Sequence, residues 1–273
     1  MPRFIVFTDL DGTLLDQTYS YEAARPALKA LQEQGIPLVL VSSKTRAEIE
    51  HLRSRMGHRG PFIVENGGAL LIPQGWLHGD PEGSSGAHDQ VTVFGTPYPV
   101  IRAALKEMSR SLHVTLKGFG DMTVQDLARL SGLSPDEARL ALTREYDEPF
   151  RVSDGHVTLA DLRNAAAKHG LTCTKGGGFY HLLGPADKGK ACRHLIDSHV
   201  RLLRPESPKT VGIGDTLNDR SMLAEVDIPI LVQRPDGSYD PDVNLPALRR
   251  AAGIGPAGWN AALLDLLDGE RSL

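Results

Sequence analysis

Residues 4–14, Phe4-Ile5-Val6-Phe7-Thr8-Asp9-Leu10-Asp11-Gly12-Thr13-Leu14, form an apolar run that stops at two acids one residue apart. Phe4 to Phe7 are uncharged and aromatic or β-branched, which suits a strand buried on both faces. In an open parallel sheet, ligands bind at the C-terminal strand edge, and Asp9 and Asp11 fall there. Side chains alternate along an extended chain, so both carboxylates point the same way while the backbone stays extended. Gly12 then lets the chain turn sharply. Asp and Gly also favour plain β-turns, so the stretch has a purely structural reading as well.

Two carboxylates this close repel one another. A hard cation with oxygen ligands, such as Mg²⁺, is the usual remedy. Such a pair permits phosphoryl transfer, with one carboxylate attacking phosphorus and the other moving protons.

Composition sets the surroundings for that chemistry. The chain has 273 residues, 41% apolar and 23% charged, which is ordinary for a soluble globular protein of one large or two modest domains. A net charge of −4 offers no basic field for nucleic acid or anionic lipid. An anionic substrate therefore has to be held by local cations. Cys173 and Cys192 lack metal-ligand spacing and suit a reducing, cytoplasmic compartment. No secretory leader is expected, because Asp9 and Asp11 interrupt the apolar run, and no segment reaches the ~20 apolar residues of a membrane span.

Working outward, a helix is expected over Tyr21–Gln34, with Gly35 after it. A second apolar strand, Pro37–Val41, ends in Ser42-Ser43-Lys44-Thr45, and a helix follows to Met56. Phe62–Val64 ends in Glu65-Asn66-Gly67-Gly68, and Ala69–Ile72 reads as a hairpin return. This β-α-β-α-β order predicts a parallel sheet. It breaks at Gln74–Gln90, rich in Gly, Pro, Ser and His, which reads as a linker. The stretch beyond it mixes short strands (Val91–Phe94, Val114–Leu116, Leu171–Thr174, Phe179–Leu183) with helices in hairpin order. Parallel-sheet character resumes with Lys188, the strand Thr210–Ile213 before Gly214-Asp215, the strand Ile228–Val232 and a closing helix Trp259–Leu267. The expected class is α/β: a Rossmann-like parallel-sheet core over 1–82 and 183–273, with an inserted α+β cap over 83–182.

Polar groups thus end three buried strands: Asp9 with Asp11, Ser42 with Ser43, and Asp215 with Asn218 and Asp219. Lys188 begins a helix in the same half of the fold. One sheet edge can bring all of them together. Each also has a structural reading. Ser42 can cap a helix, Lys188 can be a solvated lysine, and Gly214-Asp215 can be a turn.

The set resembles the four motifs of the haloacid dehalogenase superfamily of phosphatases. Asp9-Leu-Asp11-Gly-Thr13 is similar to the first, Ser42 to the second, Lys188 to the third and Gly-Asp215-Thr-Leu-Asn-Asp219 to the fourth. An insertion between the second and third motifs resembles the subclass with an α+β cap. A narrower likeness to mannosyl-3-phosphoglycerate phosphatases lies in Arg144–Phe150, in Gly177–Gly184 and in Ser42–Thr45. That family usually has Arg where this chain has Gly178.

The resemblance implies a phosphatase that makes mannosylglycerate, a compatible solute, through a phospho-aspartate. It implies Mg²⁺ held by Asp9, the Asp11 carbonyl and Asp215. Asp9 is then the nucleophile, Asp11 the proton donor and acceptor, and Ser42 and Lys188 hold phosphate oxygens. Asn218 and Asp219 stand behind them. For the substrate, Lys44, Arg144 and the backbone amides of Gly177 and Gly178 are candidates for the anionic end, Glu65, Asn66, Tyr180 and His181 for sugar hydroxyls or hinge contacts, and Ser43 and Thr45 for further substrate contacts. His181 can equally be a packed histidine, Glu148-Pro149-Phe150 a turn, and Gly176–Gly178 a hairpin turn. The expected partner is a small phosphorylated glycoside, with neither nucleic acid nor membrane, and a monomer or homodimer. The alternatives are a phosphatase for glucosyl-3-phosphoglycerate, sucrose phosphate or trehalose phosphate, or a phospho-acceptor signalling module.

Overall fold

The computed structural model describes residues 4–74, 76, 90–176, 178–200 and 208–269. The apolar run of residues 4–14 forms strand β1 (Phe4–Thr8), buried throughout. Helix α1 (Arg25–Glu33) leads to β2 (Leu38–Val41), and α2 (Arg46–Met56) leads to β3 (Phe62–Val64). Thr45 caps α2 through its hydroxyl, and the carboxylate of Glu48 returns to the Thr45 N–H. β4 (Ala69–Ile72) folds back antiparallel on β3, as the hairpin reading predicts, and β5 (Gln90–Val93) pairs antiparallel with β4.

The chain then builds a second sheet. Helix α3 (Tyr98–Leu112) precedes β6 (Thr115–Gly118), and α4 (Val124–Ser131) and α5 (Pro135–Ala141) precede β7 (Asp147–Asp154). Helix α6 (Leu159–Ala167) leads into the hairpin β8 (Thr172–Gly176) and β9 (Phe179–Leu183). These four strands are antiparallel in the order β6-β7-β9-β8.

Helix α7 (Lys188–Leu195) returns to the first sheet, adding β10 (Lys209–Gly214), α8 (Arg220–Leu223), β11 (Ile228–Gln233), β12 (Arg249–Ile254) and α9 (Gly255–Gly269). The larger sheet has the order β12-β11-β10-β1-β2-β3-β4-β5 and is parallel from β12 to β3. β1 sits in its middle and sorts its side chains by alternation. Phe4 and Val6 pack with Leu31, Ile49 and Trp259, from α1, α2 and α9. Ile5 and Phe7 pack with Leu195 and Met222, from α7 and α8. Each such side chain, fully buried, contributes roughly 1.5–3 kcal/mol, which fixes β1 at the centre of three layers.

The sequence reading placed Val91–Phe94 in the inserted unit, but β5 is the edge strand of the larger sheet. The expected boundary at residue 83 lies outside the described residues. The boundary expected at 182 falls in β9, which belongs to the smaller sheet. Three elements escape the sequence pattern. β12 has almost no apolar periodicity. α4 is marked only by its Thr123 cap with Asp126 and by Gly132 after it. β7 contains Pro149, a residue that argues against a strand. Pairing with β6 begins only at Phe150, so Pro149 stands where β7 has a neighbour on one side alone. Glu148-Pro149-Phe150 is thus strand rather than turn.

Candidate active site

β1 and β10 run parallel, with Thr8 opposite Ile213, and both leave the sheet at one edge. Asp9 and Asp215 therefore meet there. Lys188, the first residue of α7, is buried beside them. Its Nζ donates to Asp9 Oδ1 at 2.5 Å and to Asp219 Oδ1 at 2.7 Å. The other Asp219 oxygen accepts the N–H of Asp215 at 3.1 Å and of Thr216 at 3.2 Å. The Thr13 hydroxyl donates to Asp215 Oδ1 at 3.3 Å. Lys188 is therefore no solvated lysine, and Asp215 is more than a turn residue.

Carboxylate oxygens of Asp9, Asp215 and Asp219 lie within 4.8 Å of one another, and all three residues are buried. Burial pushes Asp9 and Asp215 above the ordinary carboxylate value, and the charge on Asp219 pushes the same way. Burial pulls Lys188 down, but Asp219 and Asp9 more than reverse this and hold it above its ordinary value. With all three acids ionised, one ammonium against three carboxylates leaves two negative charges on buried residues. Oxygen donors with that deficit fit a hard divalent cation. Asp219, expected to stand behind the site, belongs to this cluster, whereas the Asp11 carboxylate does not.

Asp11 sits on the exposed rim, where Lys44 Nζ meets its Oδ2 at 3.1 Å. Lys44 also faces Glu48 at 3.7 Å, so its charge is already matched by two acids. Lys44 positions Asp11 more readily than it receives a substrate anion. Ser42 is buried at the end of β2, where its hydroxyl accepts the Lys44 N–H at 3.2 Å. Its neighbour Ser43 lines the cleft above the acids. The Thr45 hydroxyl is occupied on both sides, accepting from the Glu48 N–H and donating to Leu140 O at 3.0 Å. Thr45 joins α2 to the end of α5 and does not line the cleft.

The cleft between the two sheets holds about 1230 Å³ and is lined by Asp9, Asp11, Asp215 and Asn218 on one side. Phe119, Pro149, Arg151 and Phe179 line the other. Alternation along β9 decides which predicted residues face it. Phe179 and His181 look into the cleft. Tyr180 packs on the opposite face with Phe150, ring centroids 5.5 Å apart, against the α3 and α6 side. Tyr180 thus has a packing role here, and Phe179, which the sequence reading passed over, takes the cleft position. Gly177 lies outside the described residues. Gly178 lines the cleft in a left-handed turn of the β8–β9 hairpin.

A polar chain ties the cleft's two sides together. Glu65 accepts backbone N–H groups from Glu145, Tyr146 and Asp147 at 2.8–3.2 Å. Burial pushes its carboxyl up to about 7, against the pull of Arg144 and of those amides. Asn66 accepts from Asn218 Nδ2 at 3.0 Å and donates to Asp147 Oδ2 at 2.9 Å. The same Asp147 oxygen meets His181 Nδ1 at 2.9 Å and Arg144 Nη2 at 3.2 Å. Arg144 also donates to Ser43 O at 3.0 Å. Asp147 is held below its ordinary value: burial raises it, but His181 and Arg144 outweigh that. Glu65, Asn66, Arg144 and His181 are therefore joint residues, with most of their donors and acceptors spent. Asp147, the centre of this joint, was missed because a lone acid in a strand gives no sequence signal.

A parallel sheet that presents one lysine and three aspartates under an antiparallel lid defines a haloacid dehalogenase-like hydrolase, and the family model of that description matches residues 6–77. The chain is 44% identical to a glucosyl-3-phosphoglycerate/mannosyl-3-phosphoglycerate phosphatase of Methanococcoides burtonii, over 99% of this chain and 100% of that protein. It is 35% identical to a mannosyl-3-phosphoglycerate phosphatase of Pyrococcus furiosus, over 84% of this chain and 90% of that one. This chain belongs to that phosphatase family. A crystal structure from Thermoplasma acidophilum superposes over the whole of both chains with a TM-score of 0.67 at 17% identity, a likeness of fold.

Proposed function

We propose that the protein is a Mg²⁺-dependent phosphatase that converts mannosyl-3-phosphoglycerate, or its glucosyl counterpart, into the glycosylglycerate and phosphate. The observation that carries this is the convergence of Asp9, Asp215, Asp219 and Lys188 on one sheet edge beneath the cleft. The full-length likeness to phosphatases of these substrates supports the choice of ester.

Asp9 and Asp215, with the Asp11 carbonyl, would hold Mg²⁺, which when bound neutralises phosphate charge. Asp9 attacks phosphorus, and the bond to the ester oxygen breaks. Asp11, on the cleft rim, gives that oxygen its proton and leaves a phospho-aspartate. Asp11 then takes a proton from water, which attacks the same phosphorus, releases phosphate and restores Asp9. Lys188 supplies fixed positive charge where negative charge builds, and Asp219 keeps it there. Ser42, buried just behind Ser43, shapes the phosphate loop. The smaller sheet with α3 to α6 acts as the cap that covers the cleft and excludes bulk water.

The test is phosphate release from mannosyl- and glucosyl-3-phosphoglycerate, sucrose phosphate, trehalose phosphate and glucose 6-phosphate, with and without Mg²⁺. The expected result is a preference of at least tenfold for the two phosphoglycerate esters. Equal turnover of glucose 6-phosphate would overturn the substrate reading.

A further inference from the structure

Basic side chains among the described residues that line the cleft are nearly all committed. Lys44 is matched by Asp11 and Glu48. Arg144 is enclosed by Glu65, Asp147 and the Ser43 carbonyl. Lys175 lies over the Tyr180 ring, 5.6 Å from its centroid. Arg151 differs: it lines the cleft, is exposed, and has no hydrogen-bond or ion-pair partner among the described residues.

Register fixes where Arg151 points. Phe150 pairs with Tyr180 and packs against the helices, so its neighbour Arg151 faces the cleft beside Phe179. Directly across on β6 stands Lys117, a second cation opposite the first. Like charges directly opposite each other in a sheet are unfavourable. An anion between them relieves that repulsion. Phe119, edge-on to Phe179 at 5.0 Å, gives the wall beside Arg151 an apolar floor, and Thr174, Lys175 and His181 complete it. Asp126 lies within electrostatic reach of Lys117, so Arg151 is the cation of this pair with no acidic partner among the described residues, and it stands away from the acids that receive the phosphate.

We propose that Arg151, with Lys117 beside it, binds the carboxylate of the glyceric acid part of the substrate and so sets the preference for phosphoglycerate esters over neutral sugar phosphates. This rests on the reading of the cleft as a site for glycosyl phosphoglycerates. The phosphate end engages the sheet edge, and the second anion engages the cap sheet. A substrate without that carboxylate leaves Arg151 uncompensated and gains nothing from the cap.

The experiment uses Arg151→Met and Arg151→Lys in the full chain with Mg²⁺. Turnover of p-nitrophenyl phosphate is measured against two competitors, 3-phosphoglycerate and glycerol 3-phosphate, which differ in the carboxylate. KM and kcat for mannosyl-3-phosphoglycerate are measured beside them. The wild type is expected to bind 3-phosphoglycerate more tightly than glycerol 3-phosphate. Arg151→Met should remove that difference and raise KM for the glycosyl ester about 10- to 100-fold, with kcat little changed. Arg151→Lys should recover part of the loss, and p-nitrophenyl phosphate turnover should stay as in wild type. An unchanged competitor ratio in Arg151→Met, or an equal loss on all substrates, overturns the proposal. Failure of the wild type to hydrolyse the glycosyl ester would overturn the substrate reading alone, because the competitor ratio reads Arg151 independently.

Discussion

Asp9 carries the sharpest prediction at the level of single residues, because its replacement changes chemistry and not shape. Asp9→Asn should keep the fold, judged by circular dichroism, and lose turnover by at least about 10³-fold. Lys188→Met should do more damage to the fold, since it leaves buried acids without their ammonium. A cost of about 3–5 kcal/mol in metal-free protein, read by urea unfolding, is expected. Gly12 has φ +82°, and a Cβ there would come 2.5 Å from Asp215 Oδ2. Gly12→Ala should therefore weaken metal binding about tenfold or more, measured by calorimetry, because it strains the turn and displaces the Asp215 carboxylate at once. His58 gives a prediction on stability. Its Nε2 faces Leu38 O at 2.8 Å, and Arg53 Nε donates to its Nδ1 at 3.2 Å, an arrangement only a neutral ring satisfies. Burial, helped by Arg53, lowers its pKa from 6.5 to about 4. The unfolded chain thus binds this proton first. The group's contribution is full above pH 6.5 and is lost as pH falls towards 4, to a limit of about 3 kcal/mol. Melting curves of wild type and His58→Gln should converge across that range, and parallel curves would refute the assignment.

Among the elements, the turn after β3 does the most with the fewest residues. Glu65 and Asn66 both have positive φ, +47° and +58°, without being glycine. Such backbone persists only where its surroundings hold it. Here they do: Glu65 N–H donates to Lys44 O and Asn66 N–H to Ser42 O, each at 3.0 Å, while both side chains reach the start of β7. Glu65→Ala removes the acceptor of three amides and the partner of buried Arg144, so a loss of about 3 kcal/mol or more is expected by chemical denaturation. A change under about 1 kcal/mol would show that the turn is held by its backbone alone. This element also marks what a sequence can and cannot say. The rim was legible because β1, β2 and β10 are uninterrupted apolar runs ending in polar groups, a local pattern. The joint was not, because its meaning lies in pairs such as Asn66 with Asp147 and Arg144 with Ser43, far apart in the chain. Phe179-Tyr180-His181-Leu182-Leu183 carries an aromatic ring and a leucine on each face, so only register tells that Phe179 and not Tyr180 meets the cleft. β12 was invisible because Arg249-Arg250-Ala251-Ala252-Gly253-Ile254 owes its pairing to β11 and not to its own pattern.

For the whole molecule, the two sheets meet over one charged edge, and that edge should govern how stability responds to metal. Asp9 follows β1 and Asp215 follows β10, so an ion held between them joins two neighbouring strands of the larger sheet and none of the smaller one. The crowded carboxylates destabilise the metal-free protein: burial and mutual repulsion hold Asp9 and Asp215 above their ordinary value, so the folded chain takes up protons that the unfolded chain does not. This contribution is present at low pH and lost as pH rises through the raised values. A divalent cation requires the deprotonated forms, so its effect has the opposite sign. Adding Mg²⁺ at about 100 times its dissociation constant should raise stability by about 2.7 kcal/mol, and the gain should grow as pH increases. Hydrogen exchange should slow around β1 and β10, while the amides of β6 and β8 stay as they were. Asp215→Asn should abolish the gain and its pH dependence together. If the variant keeps the full Mg²⁺ shift, or if β6 and β8 are protected as strongly as β1, the ion binds elsewhere and the edge is not its site.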